Sequence, residues 1–193
     1  MMADQPYQFD FYDGGGLDLA FLSFAEVDRE GNVNVSRYGK SINGPGGFIN
    51  ISQGARKVVF SGTLTTGGLD ISPDGLGGLL LHQEGRTSKW VPGVQQLTFS
   101  GRYAREREQA VMYVTERAVF RLAADGIELI EVAPGIDLRR DVLERIGFEI
   151  RVAEPVRAMD PRLFRPEPMN LLPEFRARAR AAAELRPASR GER

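Results

Sequence analysis

Glycine constrains this sequence most. Twenty-two glycines occur in 193 residues, and they crowd the first 101. They cut the chain into short apolar runs, too short for packed helices and rich in aliphatic and aromatic residues, which is a strand pattern. Residues 19–27 read LAFLSFAEV; the turn DREGN at 28–32 and the alternating Val33-Asn34-Val35 follow. That pattern predicts a hairpin, with Gly31 taking a backbone conformation that other residues resist. Residues 57–61 predict a buried strand. Residues 79–91 predict a second hairpin turning at Glu84-Gly85-Arg86. Residues 110–115, 118–122 and 127–132 predict a meander around Ala124-Asp125-Gly126.

Apart from a short helix opening over residues 48–53, helical signals begin after residue 133. Asp137 is an N-cap candidate, Leu138, Val142, Leu143 and Ile146 recur at helical spacing, and Gly147 closes the segment. Residues 150–152 predict a last short strand. After Phe164 the composition shifts to a proline-rich stretch, an Ala/Arg helix RARARAAAELR and an end, PASRGER, that reads as disordered. The division expected is one domain over residues 1–165 and a tail over 166–193. Strands with few helices suit a self-contained α+β domain. A better fit is an α/β fold: an incomplete, open, mostly parallel sheet with antiparallel hairpin extensions and elements missing on its N-terminal side.

Composition narrows the function. The formal net charge of -1 provides no field for nucleic acid or membrane. The Arg-rich tail lacks the interleaved aromatics of a nucleic-acid binder and reads as a fraying helix. No cysteine is present, which excludes disulfides and thiolate chemistry, and one histidine without cysteine argues against a zinc site. The start MMADQP has neither the basic nor the apolar region of a secretory signal, and no apolar run approaches ~18 residues. The expectation is a cytoplasmic protein with no metal, no nucleic-acid partner and no membrane.

Three glycine constellations are candidate ligand loops. Gly14-Gly15-Gly16 fails both the dinucleotide fingerprint and the Walker pattern, so a structural turn competes with a phosphate loop. Gly46-Gly47, in GPGGFINIS, permits close backbone approach to a ligand. Ser61-Gly62-Thr63 through Gly67-Gly68 follows a strand at its C-terminal end, where open α/β sheets hold ligands. His82 reads as a surface or packing residue, and Trp90 and Tyr103 read as core residues rather than ligand platforms.

Taken together, FDFYDGGGLDLAFLSFAEVDREGNVNVSRYG, GPGGFINISQGARKVVFSGTLTTGGL, TFSGRYARER and YVTERAVFRLAADGIELIEVAPGIDLRRDVLERIGF resemble successive blocks of class I coenzyme A-transferases of the acetate/propionate type, in their C-terminal part. Succinyl-CoA:3-ketoacid CoA-transferase is a more distant likeness. The resemblance implies exchange of CoA between thioesters and free carboxylates, as in short-chain fatty acid and ketone body metabolism. CoA is then a substrate, with no permanently bound cofactor. A glutamate attacks the acyl-CoA, and a glutamyl-CoA thioester follows. The resemblance also implies that Gly47 offers a backbone N–H to the oxyanion, that Gly46 stands beside it, and that Gly14, Gly15 and Gly16 line the pocket for CoA.

The family's nucleophile sits in a Glu-x-Gly motif, and no Glu-x-Gly occurs in this chain. Glu30 and Glu84 precede glycine in expected turns and read as solvated; Glu116 reads as half of an ion pair with Arg117 or another arginine. Three expectations stand: a fragment or small subunit, inactive alone, that works with a partner chain bearing the glutamate; a non-catalytic remnant; or a standalone CoA or acyl-CoA binding module. The partners implied are acyl-CoA, a short carboxylic acid, and a second chain or self-association over an exposed apolar surface.

Overall fold

The computed structural model describes residues 3–184. In chain order the main elements are α1 (Gln5–Asp13), β1 (Leu19–Ser23), β2 (Glu26–Asp28), β3 (Val33–Asn34), α2 (Phe48–Gly54), β4 (Lys57–Ser61), β5 (Asp70–Pro73) and β6 (Leu79–Gln83). Then come α3 (Gly101–Glu106), β7 (Ala110–Val114), β8 (Ala118–Ala123), β9 (Gly126–Val132), β10 (Arg151–Ala158) and α4 (Leu172–Glu184).

Six strands form the central sheet in the order β1-β4-β7-β8-β9-β10. The pairs β1/β4, β4/β7 and β9/β10 are parallel; β7/β8 and β8/β9 are antiparallel. The sheet is therefore mostly parallel and open, as expected. The short β2–β3 hairpin turns on Asp28, whose Oδ1 accepts from the N–H groups of Glu30 and Asn32, both at 3.0 Å. One face of the sheet is sealed by an aromatic cluster. Phe60 stacks on Phe48 of α2 and on Tyr113, and meets Phe99 edge-on at 4.9 Å between centroids. Trp90 is fully buried and packs on Phe120. A smaller cluster of Leu79, Val119, Ile130, Met159 and Phe164 forms a second core.

The structure corrects several local expectations. Residues 79–91 do not form a hairpin. β6 pairs antiparallel with β5, Thr87-Ser88 pairs with Thr65-Thr66, and Trp90-Val91 runs parallel to β2. The reason is Glu84, which turns inward to a buried arginine instead of capping a solvated turn. Helix also appears earlier than expected, in α1 and α3. α1 opens at Gln5 and carries Pro6 in its first turn, where a fixed backbone and a missing N–H cost nothing. Nothing in α1 is buried, so it lacks the apolar stripe that would have revealed it. The segment near 138–146 is not a regular helix: Leu138–Val142 forms a wide π-type turn and Leu143–Arg145 a tight 3-10 turn. Its cap is as expected, with Asp137 accepting from Arg140 N–H at 2.7 Å. Val142 and Ile146 are buried. The short strand read at 150–152 extends to Ala158. The end PASRGER lies outside the described residues. No helix among the described residues is long and apolar enough to cross a membrane.

Candidate functional site

α2 links parallel strands, so it runs antiparallel to them. Its first residues therefore lie at the C-terminal edge of β1, β4 and β7, the edge where open α/β sheets receive ligands. Gly47 is the N-cap of α2, and Gly46 precedes it with φ 53°. Neither glycine's N–H donates a hydrogen bond among the described residues. A Cβ on Gly47 would press on the Phe9 ring at 3.0 Å, so α1 crosses at this point.

Gly14, Gly15 and Gly16 sit elsewhere. Their N–H groups donate to the carbonyls of Asp10, Tyr12 and Phe11 and so close the end of α1. That end lies beside the end of α2, where a Cβ on Gly54 would meet the Tyr12 carbonyl oxygen at 2.3 Å. Asn50 donates to Asp13 at 2.9 Å and joins the two helices. Gly15 lines a cavity of about 300 Å³ with Gln53, Gly54, Arg56, Arg107 and Gln109. Gly46 and Gly47 are not in that lining. The two glycine groups flank opposite ends of α2, a separation on the order of 10 Å for a helix of this length.

The C-terminal strand edge carries a charged node that the sequence only hinted at. Arg117, between β7 and β8, is completely buried. Its Nη1 and Nη2 donate to Glu84 at 2.9 and 2.8 Å, a paired contact, and its Nε donates to Glu116 at 2.8 Å. Nη1 also donates to the Asp141 carbonyl at 3.1 Å. The ion pair expected of Glu116 is thus present, and its Oε2 accepts from Leu64 N–H at 2.9 Å. The expectation of a solvated Glu84 is overturned: besides Arg117 it accepts from the Thr65 hydroxyl and from Gly85 N–H. Burial alone would raise the Glu84 carboxyl, yet the Arg117 and Thr65 hydrogen bonds outweigh it and hold it below its ordinary value. The same node explains Gly85, where a Cβ would lie 2.6 Å from Thr65 Oγ1.

Beside the node stands Lys89, half-buried. Its Nζ donates to the Phe24 carbonyl at 3.1 Å and lies 4.9 Å from the Phe24 ring centre. A Cβ on Gly62 would come within 3.2 Å of that Nζ. Burial draws the Lys89 ammonium below its ordinary range, against the opposing pull of Glu116. No carboxylate among the described residues lies within 4 Å of it, so the charge is available to an incoming anion. Lys89 and Arg117 were not singled out from sequence as site residues; only the adjacency of Glu116 and Arg117 was a signal. The third glycine candidate lies next to them: Thr63, Thr65, Gly67 and Gly68 line a cavity of about 420 Å³. His82 is exposed and shares a hydrogen bond with Ser72 at 2.8 Å, and Trp90 is core as expected; Tyr103 is not core as expected but lies exposed on α3, where Arg107 covers its ring.

The chain is 48% identical over 172 residues to an acetate CoA-transferase, YdiF, of Escherichia coli (strain K12), covering 89% of this chain and 32% of that protein. It is 44% identical over 167 residues to a caffeate CoA-transferase of Acetobacterium woodii, covering 83% and 31%. Among solved structures, the acyl-CoA transferase (YdiF) of E. coli O157:H7, in a thioester complex with CoA, superposes with a TM-score of 0.83 at 48% identity, over 86% of this chain and 32% of that one. No family model matches. The chain spans about a third of the length of the curated relatives it matches. Over most of its described fold this chain is a relative of the class I coenzyme A-transferases.

Proposed function

We propose that this chain supplies part of the active centre of a CoA-transferase and works with a polypeptide portion that carries the nucleophilic glutamate. The carrying observation is the 48% identity, sustained over 172 residues, to an acetate CoA-transferase. In the proposed reaction the glutamate carboxylate adds to the thioester carbonyl, and CoA thiolate leaves with the C–S electron pair to give a mixed anhydride. The thiolate then adds to the glutamyl carbonyl and releases the first acid as its carboxylate. The acceptor carboxylate repeats both steps in reverse, so no external proton, oxidant or metal is needed. Each addition builds an oxyanion. The Gly47 N–H is assigned to it, with Gly46 keeping the approach open, because a fixed amide stabilises such charge without reorganising. Lys89 supplies positive charge at the same strand edge. Gly14, Gly15 and Gly16 are assigned to the CoA side of the site through the Gly15 cavity, by shape and not by free N–H groups. CoA acts as substrate, no cofactor is permanently held, and the setting is cytoplasmic.

Alone, the chain is expected to be inactive, since it contains no Glu-x-Gly. The test is CoA exchange between acetyl-CoA and a short acid, measured on the chain alone and on a full-length chimera in which it replaces its counterpart in the E. coli enzyme. Activity of the chimera only, abolished by Gly47→Val with the fold retained, supports the reading. An inactive but well-folded chimera overturns it in favour of a non-catalytic remnant. Tight CoA binding by the chain alone, read by calorimetry, would favour a standalone binding module.

A further inference from the structure

The parallel strands β1, β4 and β7 start at one edge of the sheet and end at the other. The Gly15 cavity, of about 300 Å³, sits at the starting edge: Gly15 lies ahead of β1, Arg56 directly precedes β4, and Gln109 directly precedes β7. Gly47 and Lys89 belong to the opposite edge, where Phe24 and Gly62 follow β1 and β4. β1 and β4 have five residues each. Strands of that length hold their two ends roughly 17 Å apart. A compact occupant of the cavity therefore stays out of reach of the atoms proposed to react.

The cavity is walled by donors that lack acceptors. Gln53 Oε1 accepts from Ser100 N–H at 3.0 Å, which fixes the side-chain amide, yet its Nε2 is buried with no hydrogen-bond partner. A buried donor left unpaired is costly and calls for an explanation. Arg107 forms no ion pair among the described residues. Its Nη1 reaches the Tyr103 hydroxyl at 3.2 Å and the Gln53 carbonyl at 3.4 Å, both long, and its guanidinium lies over the Tyr103 ring. Arg56 meets only Asp18, at 3.3 Å, with side chains 78% and 86% exposed. Such a pair is worth little in water and yields readily to a ligand. Gln109 is different: its Nε2 is spent on the Ser52 carbonyl, at 2.7 Å, and on the Ala55 carbonyl, so it is scaffold. The lining sets two guanidinium groups against one carboxylate, that of Glu108. Glu108 takes a left-handed backbone, φ 54°, and the turn there lets both Arg107 and Gln109 line the cavity.

We infer that the Gly15 cavity is a binding site for a phosphoryl group. Its open donors come from three elements: Gln53 from the end of α2, Arg56 from the link into β4, and Arg107 from the end of α3. A planar carboxylate is satisfied by one guanidinium fork, whereas a tetrahedral phosphoryl group presents oxygens to several sides at once. The volume is at the small end for ligand sites, and Ala55 is the only apolar side chain in the lining, so nothing there receives a larger apolar body. Two sources carry this chemistry. One is CoA, whose own phosphates lie far from its thiol; the other is free phosphate, acting away from the reaction edge. CoA as the source rests on the proposed function, and phosphoryl binding itself does not.

NMR titration of the isotope-labelled chain alone tests the site. Inorganic phosphate should move the Gln53 side-chain amide resonance saturably, and acetate at equal ionic strength should not. Arg107→Gln, at an exposed position, should weaken phosphate binding by about tenfold or more, the loss of one charge-assisted contact. Arg56→Gln provides the same comparison if the first variant does not fold. No saturable shift in the wild type, an equal shift with acetate, or equal phosphate affinity in the folded variant overturns the site. Competition then separates the sources. CoA that displaces phosphate where pantetheine does not assigns the site to the phosphates of CoA; phosphate that stays bound in excess CoA assigns it to free phosphate. The two readings fail separately. A chimera that exchanges CoA, with no phosphate site in the chain, sinks this inference alone. A phosphate site in a chain whose well-folded chimera is inactive sinks the transferase reading alone.

Discussion

Arg117 Nη2 lies 2.8 Å from Glu84 Oε1, across 33 residues of sequence, with the arginine side chain wholly buried. Glu116 holds the same guanidinium from another side. One buried cation thus ties the loop after β6 to the turn between β7 and β8. Removing it leaves two partly buried carboxylates without their counter-charge. Arg117→Met should destabilise the chain by about 3–5 kcal/mol, the cost of breaking a buried pair from one side. Urea denaturation of both proteins checks this.

The same node dictates a pH dependence. The folded-state pKa of Glu84 is depressed below its ordinary value of 4.5. Its contribution is therefore complete above that value and is lost as pH falls through the lower folded one. Wild-type stability should decline between about pH 5 and pH 3 more steeply than that of Glu84→Gln. The difference should not exceed one proton, about 1.4 kcal/mol per pH unit. Midpoints of urea unfolding across that range provide the comparison.

Lys89 should show the opposite balance. Its ammonium is held below its ordinary range chiefly by burial, so the charge costs folding free energy at neutral pH. Lys89→Met should keep or slightly raise the melting temperature. In the active chimera the same change should reduce CoA exchange by at least tenfold, because the positive charge at the strand edge is gone. Retained activity would remove Lys89 from the site.

The α1–α2 contact depends on a missing side chain. A Cβ at Gly54 would lie 2.3 Å from the Tyr12 carbonyl oxygen, which backbone cannot yield cheaply. Gly54→Ala should cost about 1–3 kcal/mol by overpacking. It should also speed exchange at the Gly14–Gly16 amides that close α1.

Beyond Phe164 the chain adds little to either core. α4 side chains through residue 181 are largely exposed, and the described anchor is the ion pair of Arg162 with Glu174. Truncation after Phe175 keeps that pair. It should shift the melting temperature by less than about 4 °C, the equivalent of roughly 1 kcal/mol in a domain of this size. A larger shift would mean that the tail docks and that the domain does not end near residue 165.

Local chemistry was readable without coordinates. The β2–β3 hairpin followed from Asp28 and Gly31, the cap at Asp137 from its place before an apolar run, and the Glu116–Arg117 contact from adjacency. The open, mostly parallel sheet followed from strand composition together with family resemblance. α1 was not readable, because QPYQFDFYD has no apolar stripe and its neighbour is only another helix.

By itself, the sequence determined the short strands, the turns, the absence of thiol chemistry and the absence of a Glu-x-Gly nucleophile. Tertiary structure alone decided which distant residues share an environment. Residues 79–91 looked like a hairpin because adjacent strands commonly pair, but Glu84 is drawn to Arg117, 33 residues away. The glycine groups looked like walls of one pocket, yet helix direction sends Gly14–Gly16 and Gly46–Gly47 to opposite ends of α2. The physical reason is the same in both cases: period and propensity act over a few residues, while burying a charge or orienting a helix against a sheet is settled by partners that only folding brings near.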